Sequence, residues 1–235
     1  MDLTVIVPVY NEEKNVGKLI AAVGQSLSTI DYELILIDDC STDQTLATAM
    51  SCRDARVRIM ALDKNYGQSI AIKAGIDHST GSVVAIMDGD MQNAPEDIYT
   101  LYQLFRSSGA DMIQGYRKER QDSLSKKIPS SIANGLIRYI FSIGLHDVGC
   151  SVKVFDKKLI PSLIYFKGFH RYLALIAHIR GFKVVETIVC HHPRTSGKSK
   201  YGMERFIPVC RDLFMLKTNP DRLSDDLRYK IRALY

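Results

Sequence analysis

Ser82-Val83-Val84-Ala85-Ile86-Met87-Asp88-Gly89-Asp90-Met91-Gln92 runs from an apolar segment straight into two carboxylates. Residues 82–88 are short, apolar and partly β-branched, and they do not alternate with polar residues. That is the pattern of a strand buried on both faces. Working outward, residues 3–9, 33–38 and 57–62 read the same way, and residues 13–26, 43–51 and 68–78 between them carry helical patterns. Ser41 followed by Gln44 fits a capping box and predicts a helix start just after the second strand. Strand–helix alternation of this kind predicts an α/β fold, a mostly parallel central sheet with helices on both faces. Ligands of such sheets bind at the carboxyl ends of the strands, near a switch in strand order.

The second half is less regular. Residues 95–107 read as a helix and 111–114 as a short strand, followed by an Arg- and Lys-rich loop over 116–127. Residues 130–145 read as a helix that is apolar around most of its circumference. Residues 153–155 and 182–190 read as strands with helix between them, and 191–201 as a second basic loop before an amphipathic stretch, 204–216. There is no internal repeat and no linker. The expected division is one domain over 1–216 with a charged tail over 217–235.

The chain has 235 residues, 46% hydrophobic and 24% charged, and a formal net charge of +5. This suits one globular core and an anionic ligand or surface. It argues against nucleic acid as a partner, for which no reading motif is present either. Five scattered cysteines, none in a Cys-x-x-Cys pair, argue against a disulfide framework or structural zinc and for a reducing compartment. The first apolar stretch reads as a strand and not as a leader, and no run approaches the roughly 18 apolar residues that span a bilayer. A cytoplasmic protein is expected, with membrane contact peripheral or through a membrane-protein partner.

Three strands end in polar groups: Pro8-Val9-Tyr10-Asn11-Glu12, Asp38-Asp39 and Asp88-Gly89-Asp90-Met91-Gln92. No glycine-rich phosphate loop follows the first strand, which argues against a dinucleotide fold and a P-loop. Carboxylates two residues apart just past a strand can turn toward one hard cation, and the glycine between them allows close backbone approach. Mg²⁺ or Mn²⁺ is typically held by one or two carboxylates plus substrate phosphate oxygens. An isolated Asp-Gly is also a common turn, so the weight lies in three polar strand ends meeting at one edge.

These segments, with Asn65-Tyr66-Gly67 and Arg194-Thr195-Ser196-Gly197-Lys198-Ser199-Lys200, resemble glycosyltransferase family 2, in particular its dolichol-phosphate mannosyltransferase-like, polyprenyl-phosphate branch. The resemblance implies a GT-A fold and an inverting sugar transfer from a nucleotide-diphosphate sugar. Pro8, Tyr10 and Glu12 would border the base and ribose, with Ile37 and Asp39 completing that pocket. Asp88, Asp90 and Gln92 would hold Mg²⁺ or Mn²⁺, Gly89 would let the backbone approach the nucleotide sugar, and Arg117 would lie near the nucleotide. Arg194 and Lys200 would close over the diphosphate. Cations on a Gly/Ser loop are independently suited to that task, because they offset charge on the leaving group and exclude water. The family's Asp-Ala-Asp is here Asp88-Gly89-Asp90. Its Asp-x-x-Ser-Gly-Phe-Arg is here Asp147-Val148-Gly149-Cys150-Ser151-Val152-Lys153, keeping only the acid and a terminal cation.

The chain has no tryptophan, so it lacks the Gln-x-x-Arg-Trp motif of sugar-polymerising family members. Residues 126–134 resemble the acceptor loop and helix of the polyprenyl-phosphate branch. Lys126 and Ser130, one helical turn apart, would both reach an acceptor phosphate, and Leu136, Ile137, Ile140 and Phe141 would offer apolar surface to lipid or to the core. A phosphate nucleophile needs no strong base. A sugar or small-molecule hydroxyl would, with Asp147 as the candidate. A polyprenyl-phosphate acceptor is the leading expectation, followed by a glycan or small-molecule hydroxyl and by a non-catalytic nucleotide-sugar-binding subunit.

Overall fold

The computed structural model describes residues 1–118, 124–192 and 206–235, and of 124–132 and 206–208 the backbone alone. In chain order it runs β1 (Leu3–Val9), α1 (Val16–Ser26), β2 (Tyr32–Asp38), α2 (Thr45–Cys52), β3 (Val57–Leu62), α3 (Gln68–Asp77) and β4 (Val83–Ile86). Then follow α4 (Pro95–Ser108), β5 (Met112–Tyr116), α5 (Leu124–Phe141), β6 (Lys153–Asp156), α6 (Leu173–Ile179), β7 (Val184–Ile188), α7 (Phe206–Thr218) and β8 (Ile231–Leu234).

Among the described residues the strands form one sheet in the order β7-β5-β6-β4-β1-β2-β3-β8. β4, β1, β2 and β3 are mutually parallel, as are β5 and β7. β6 is antiparallel to both β4 and β5, so those two point the same way. The carboxyl ends of β1, β2, β4, β5 and β7 therefore share one edge. β8, from within the charged tail, adds antiparallel to β3 as an edge strand.

Side-chain alternation along β1 and β2 feeds two cores. Leu3, Val5, Val7, Leu34 and Leu36 pack with α1, α2 and α4 on one face. Ile6, Ile35 and Ile37 pack with α3, and with α5, α6 and α7, on the other. Both faces being covered explains why these strands read as unbroken apolar runs. α3 lies especially close: a Cβ on Gly75 would meet Ile6 Cγ2 at 2.5 Å and Ile37 Cδ1 at 3.0 Å.

Three expectations change. The capping box does not form: α2 starts at Thr45 with no side-chain cap. The Ser41 hydroxyl instead accepts from the Asn11 N–H, and Asp43 Oδ1 accepts from the Thr45 N–H. The strand read over 82–88 stops at Ile86, where β6 and β1 stop pairing with it. The helix read over 130–145 is displaced toward the N-terminus, to Leu124–Phe141. Among the described residues no helix is long and apolar enough to cross a membrane.

Candidate active site

The strand ends at this edge are locked to one another. Asn11, Cys40 and Met91 follow β1, β2 and β4 with φ of 56°, 61° and 59°. Left-handed backbone at residues other than glycine costs about 1–3 kcal/mol each and persists where surrounding structure enforces it. Here the enforcement is visible. Asn11 Oδ1 accepts from the Thr42 N–H at 2.8 Å, and the Glu12 N–H donates to Thr45 Oγ1 at 2.7 Å. Asp39, 4% exposed, accepts from the Tyr66 and Gly67 N–H groups, both at 2.8 Å, which ties the end of β2 to the turn before α3. Asn15 Nδ2 donates to Glu12 Oε2 at 2.6 Å. Pro8 and Tyr10 are half-buried at the rim, whereas the Ile37 side chain is wholly buried in the α3-facing core.

The acid pair sits just beyond β4. Gln68 Nε2, from the first turn of α3, donates to Asp88 Oδ1 at 2.6 Å, and the Gln92 N–H donates to Asp90 Oδ1 at 3.1 Å. Gly89 presses on β1: a Cβ there would meet Val9 Cγ1 at 2.7 Å and the Pro8 carbonyl oxygen at 3.1 Å. The chain after β7 holds the turn from the other side. The His192 N–H donates to the Gln92 carbonyl at 2.8 Å, and Asn93 bridges His191. Asn93 Nδ2 donates to Ser151 Oγ at 2.9 Å, while its buried Oδ1 has no partner among the described residues. Burial, and then the charge of Asp90, push the Asp88 carboxyl above its ordinary value. A hydrogen bond from Ser151 and the charges of Arg117 and Lys153 pull it down. Asp88 in this state, with the Asp90 carboxylate beside it, offers hard oxygen donors short of positive charge, which fits a divalent cation.

A cationic wall faces the acids. Arg117, after β5, donates from Nε to Asp147 Oδ2 at 2.7 Å and from Nη2 to Oδ1 at 3.0 Å; the two side chains are 14% and 4% exposed. Burial opposes the guanidinium charge, but the Asp147 hydrogen bond and neighbouring negative charge outweigh it, so its pKa rises. Both Asp147 carboxylate oxygens thus accept from the Arg117 guanidinium, a two-point charge-assisted pairing. Lys153, on β6, is fully buried and donates to the Cys150 carbonyl. Burial lowers its pKa to about 8, and burial raises the Cys150 thiol to about 11. Gln114 Nε2 donates to the Asp147 carbonyl at 2.9 Å and the Cys150 carbonyl at 3.2 Å, shaping the turn that carries both. Beside this wall, at the ends of β5 and β7, lies a cleft of about 430 Å³ lined by Tyr116, Lys118, Gly144, His146, Glu186 and Ile188, among others.

The described site thus gathers Asp39, Asp88, Asp90, Gln92, Arg117 and Asp147 at one edge. Lys126 and Ser130 lie four residues apart on α5, their side chains outside the description, and Arg194 and Lys200 fall within 193–205, outside the described residues. Sequence reading missed Gln68, Ser151 and Glu186 as site residues. It noted Lys153 only as the end of a motif. The signal for Lys153 was a charged residue opening an apolar strand; for the others no local signal exists, because their partners lie 20 to 63 positions away.

The family model Glycosyl transferase family 2 matches residues 4–164. The chain is 39% identical over 221 residues to a dodecaprenyl-phosphate galacturonate synthase of Rhizobium johnstonii, covering 91% of this chain and 65% of that protein. It is 33% identical over 227 residues to an undecaprenyl-phosphate 4-deoxy-4-formamido-L-arabinose transferase of Klebsiella pneumoniae, covering 94% of this chain and 69% of that protein. Among solved structures it is similar to glucosyl-3-phosphoglycerate synthase of Mycobacterium tuberculosis, with a TM-score of 0.71 at 15% identity over 96% of this chain and 82% of that one. The same enzyme with Mn²⁺, UDP-glucose and glycerol 3-phosphate gives a TM-score of 0.70 at 16% identity, over 96% of this chain and 82% of that one. These likenesses identify the fold as GT-A.

Proposed function

Because the chain belongs to glycosyl transferase family 2, we propose that it moves a sugar, with inversion, from a nucleotide-diphosphate sugar to a polyprenyl phosphate. The observation that carries the donor half is the pair of half-buried Asp88 and buried Asp90 facing Arg117 and Lys153 at the carboxyl edge of the sheet. The acceptor half is supported by the two relatives, both named for a polyprenyl-phosphate product or substrate, although the chain spans only 65% and 69% of their lengths.

In this reading Asp88 and Asp90, with the Gln92 amide oxygen, hold Mg²⁺ or Mn²⁺, as the Mn²⁺ of the similar solved enzyme suggests. The ion supplies positive charge against the nucleotide diphosphate. Pro8, Tyr10, Glu12, the Ile37 backbone and Asp39 border the nucleoside, Gly89 admits the backbone close to the sugar, and Arg117, Arg194 and Lys200 offset phosphate charge. Asp147 keeps Arg117 in place. The acceptor phosphate, oriented by Lys126 and Ser130, attacks the anomeric carbon with an oxygen that is already anionic. The new C–O bond forms as the bond to the diphosphate breaks, and the electron pair leaves with the nucleoside diphosphate. No proton has to be removed from the nucleophile, which agrees with an Asp147 whose oxygens are engaged by Arg117. The enzyme works peripherally at a membrane surface, with or without a membrane-protein partner.

The test is release of nucleoside diphosphate when nucleotide sugars are mixed with a short polyprenyl phosphate and Mn²⁺. Release with the lipid phosphate and not with free sugars or glycans is expected. Release with a hydroxyl acceptor alone would replace the lipid reading with a hydroxyl one, and no release with binding retained would point to a non-catalytic subunit.

A further inference from the structure

Glu186 lies on β7, in a strand whose side chains are only half-buried, and no motif marks it. Its carboxylate is nevertheless the anchor of the loop that leads into Asp147. Glu186 Oε1 accepts from the His146 N–H at 2.9 Å and from the Asp147 N–H at 2.8 Å. Glu186 Oε2 accepts from the His146 N–H at 2.9 Å and lies 2.8 Å from His146 Nδ1. The His146 ring in turn stacks on Tyr116, the last residue of β5, with centroids 5.3 Å apart and planes at 26°. Arg117 is the next residue. The two ends of the Arg117–Asp147 pair are thus located by one construction: β5 and the Tyr116 ring on one side, the Glu186 carboxylate on the other.

Two backbone N–H groups aimed at one carboxylate define the position of the following side chain far more tightly than packing on an open loop would, and charge-assisted bonds of this kind are about twice as strong as neutral ones. Glu186 touches neither the acid pair nor Arg117 in the contacts described above. We propose that Glu186 is a positioning residue of the donor site: it sets the backbone at His146 and Asp147, so that Asp147 meets Arg117 with both oxygens and aims the guanidinium at the nucleotide diphosphate. This rests on the donor-site reading of Arg117, not on the identity of the acceptor.

Oε1 receives both backbone N–H groups, and a Gln in the same rotamer keeps that oxygen. Glu186→Gln is therefore the conservative variant, and Glu186→Ala removes the anchor. The experiment measures binding of UDP, GDP and CDP, each with Mn²⁺, by calorimetry, using the parent, Glu186→Ala, Glu186→Gln, Asp147→Ala and the Glu186→Ala/Asp147→Ala double variant, with thermal unfolding of each. For whichever nucleotide the parent binds, Glu186→Ala and Asp147→Ala should each weaken binding by about tenfold or more, as loss of supporting contacts around a site typically does. The double variant should be no weaker than the worse single one, because both act through the same arginine, and Glu186→Gln should bind within about threefold of the parent. Additive losses in the double variant, or a folded Glu186→Ala that binds like the parent, would overturn the proposal while leaving the donor site standing. A parent that binds none of the three nucleotides would overturn the donor reading and this proposal with it.

Discussion

At Asp88 and Asp90 the physics is one of unbalanced charge. Burial and Asp90 both act against ionised Asp88, and the cations beyond it only partly compensate. Removing Asp90 relieves that repulsion while removing half of the acid pair. Asp90→Ala is therefore expected to fold with an undiminished thermal midpoint, yet to lose transfer activity by about a thousandfold or more, the equivalent of several kcal/mol of leaving-group stabilisation. Near-normal turnover by the folded variant, or full parent activity in excess EDTA, would take the metal out of the reaction. Gly89 gives a second prediction. A β-carbon there would sit 2.7 Å from Val9 Cγ1, a branched methyl with little freedom to move aside. Gly89→Ala should cost about 1–3 kcal/mol of stability by overpacking. Adding Val9→Ala should recover part of the loss, a favourable coupling that a chemical-denaturation double-mutant cycle would detect. Strict additivity would show that the glycine is not required by that contact. The acids and this glycine were legible in the sequence, because a strand end followed by acid-glycine-acid is a local pattern. Glu186 and Gln68 were not, because their significance lies in partners supplied by other elements.

Elements matter here through the way α4 is fastened to the end of β7. Asp97, in the first turn of α4 and 9% exposed, accepts from the Cys190 N–H at 2.9 Å. Burial is the main cause that raises its pKa to about 6, against the ordinary 3.8; the Cys190 bond works in the opposite direction. A helix N-terminus favours a negative side chain by about 0.3–1 kcal/mol. A rise of about two pKa units corresponds to more than that, at about 1.4 kcal/mol per unit, so the burial penalty wins. Because the folded-state pKa is the higher one, the folded protein holds more protons between pH 3.8 and about 6, and this group's contribution to stability is lost as pH rises through that window. Asp97→Asn keeps an oxygen for the Cys190 N–H and never ionises. It should be more stable than the parent at pH 8, with the gain shrinking to nothing below pH 3.8, as read by denaturant midpoints across pH. A variant less stable than the parent at pH 8 would mean that the charge is worth more to α4 than its burial costs. The alternation of elements in the first half was readable because each strand is an unbroken apolar run. β8 was not, because Ile231-Arg232-Ala233-Leu234 is a short, half-exposed edge strand whose partner, 60–62, lies far back in the chain. The helix start at Leu124 was obscured by the basic residues around it, which read as loop.

For the whole molecule the proposed acceptor raises the question of how a protein whose described helices are all too short or too polar to span a bilayer would reach a lipid-borne phosphate. α5 buries Ile137 and Phe141 in the core, so the helix is not apolar surface all round. It still exposes Leu136 at 47% and Tyr139 at 86%, and α7, which packs beside it, exposes Phe214 at 66%. Lys126 and Lys127 lie on the same α5, toward its N-terminus. Aromatic and aliphatic side chains set near lysines are what an interfacial helix presents to the headgroup level. Each basic residue near an anionic surface contributes only about 1 kcal/mol, and three apolar side chains partly inserted add about 1–3 kcal/mol apiece at most. Attachment should therefore be weak, reversible and sensitive to salt. The purified protein is expected to co-sediment with vesicles containing polyprenyl phosphate more than with plain neutral vesicles, and less at high salt. Lys126→Glu/Lys127→Glu should abolish the salt-sensitive part, and Tyr139→Asp/Phe214→Asp should lower binding at every salt concentration. If the protein stays in the supernatant with all vesicles at all salt concentrations, the peripheral reading fails. If vesicles bind it but the Tyr139 and Phe214 changes have no effect, these side chains do not face the lipid and the contact is electrostatic alone.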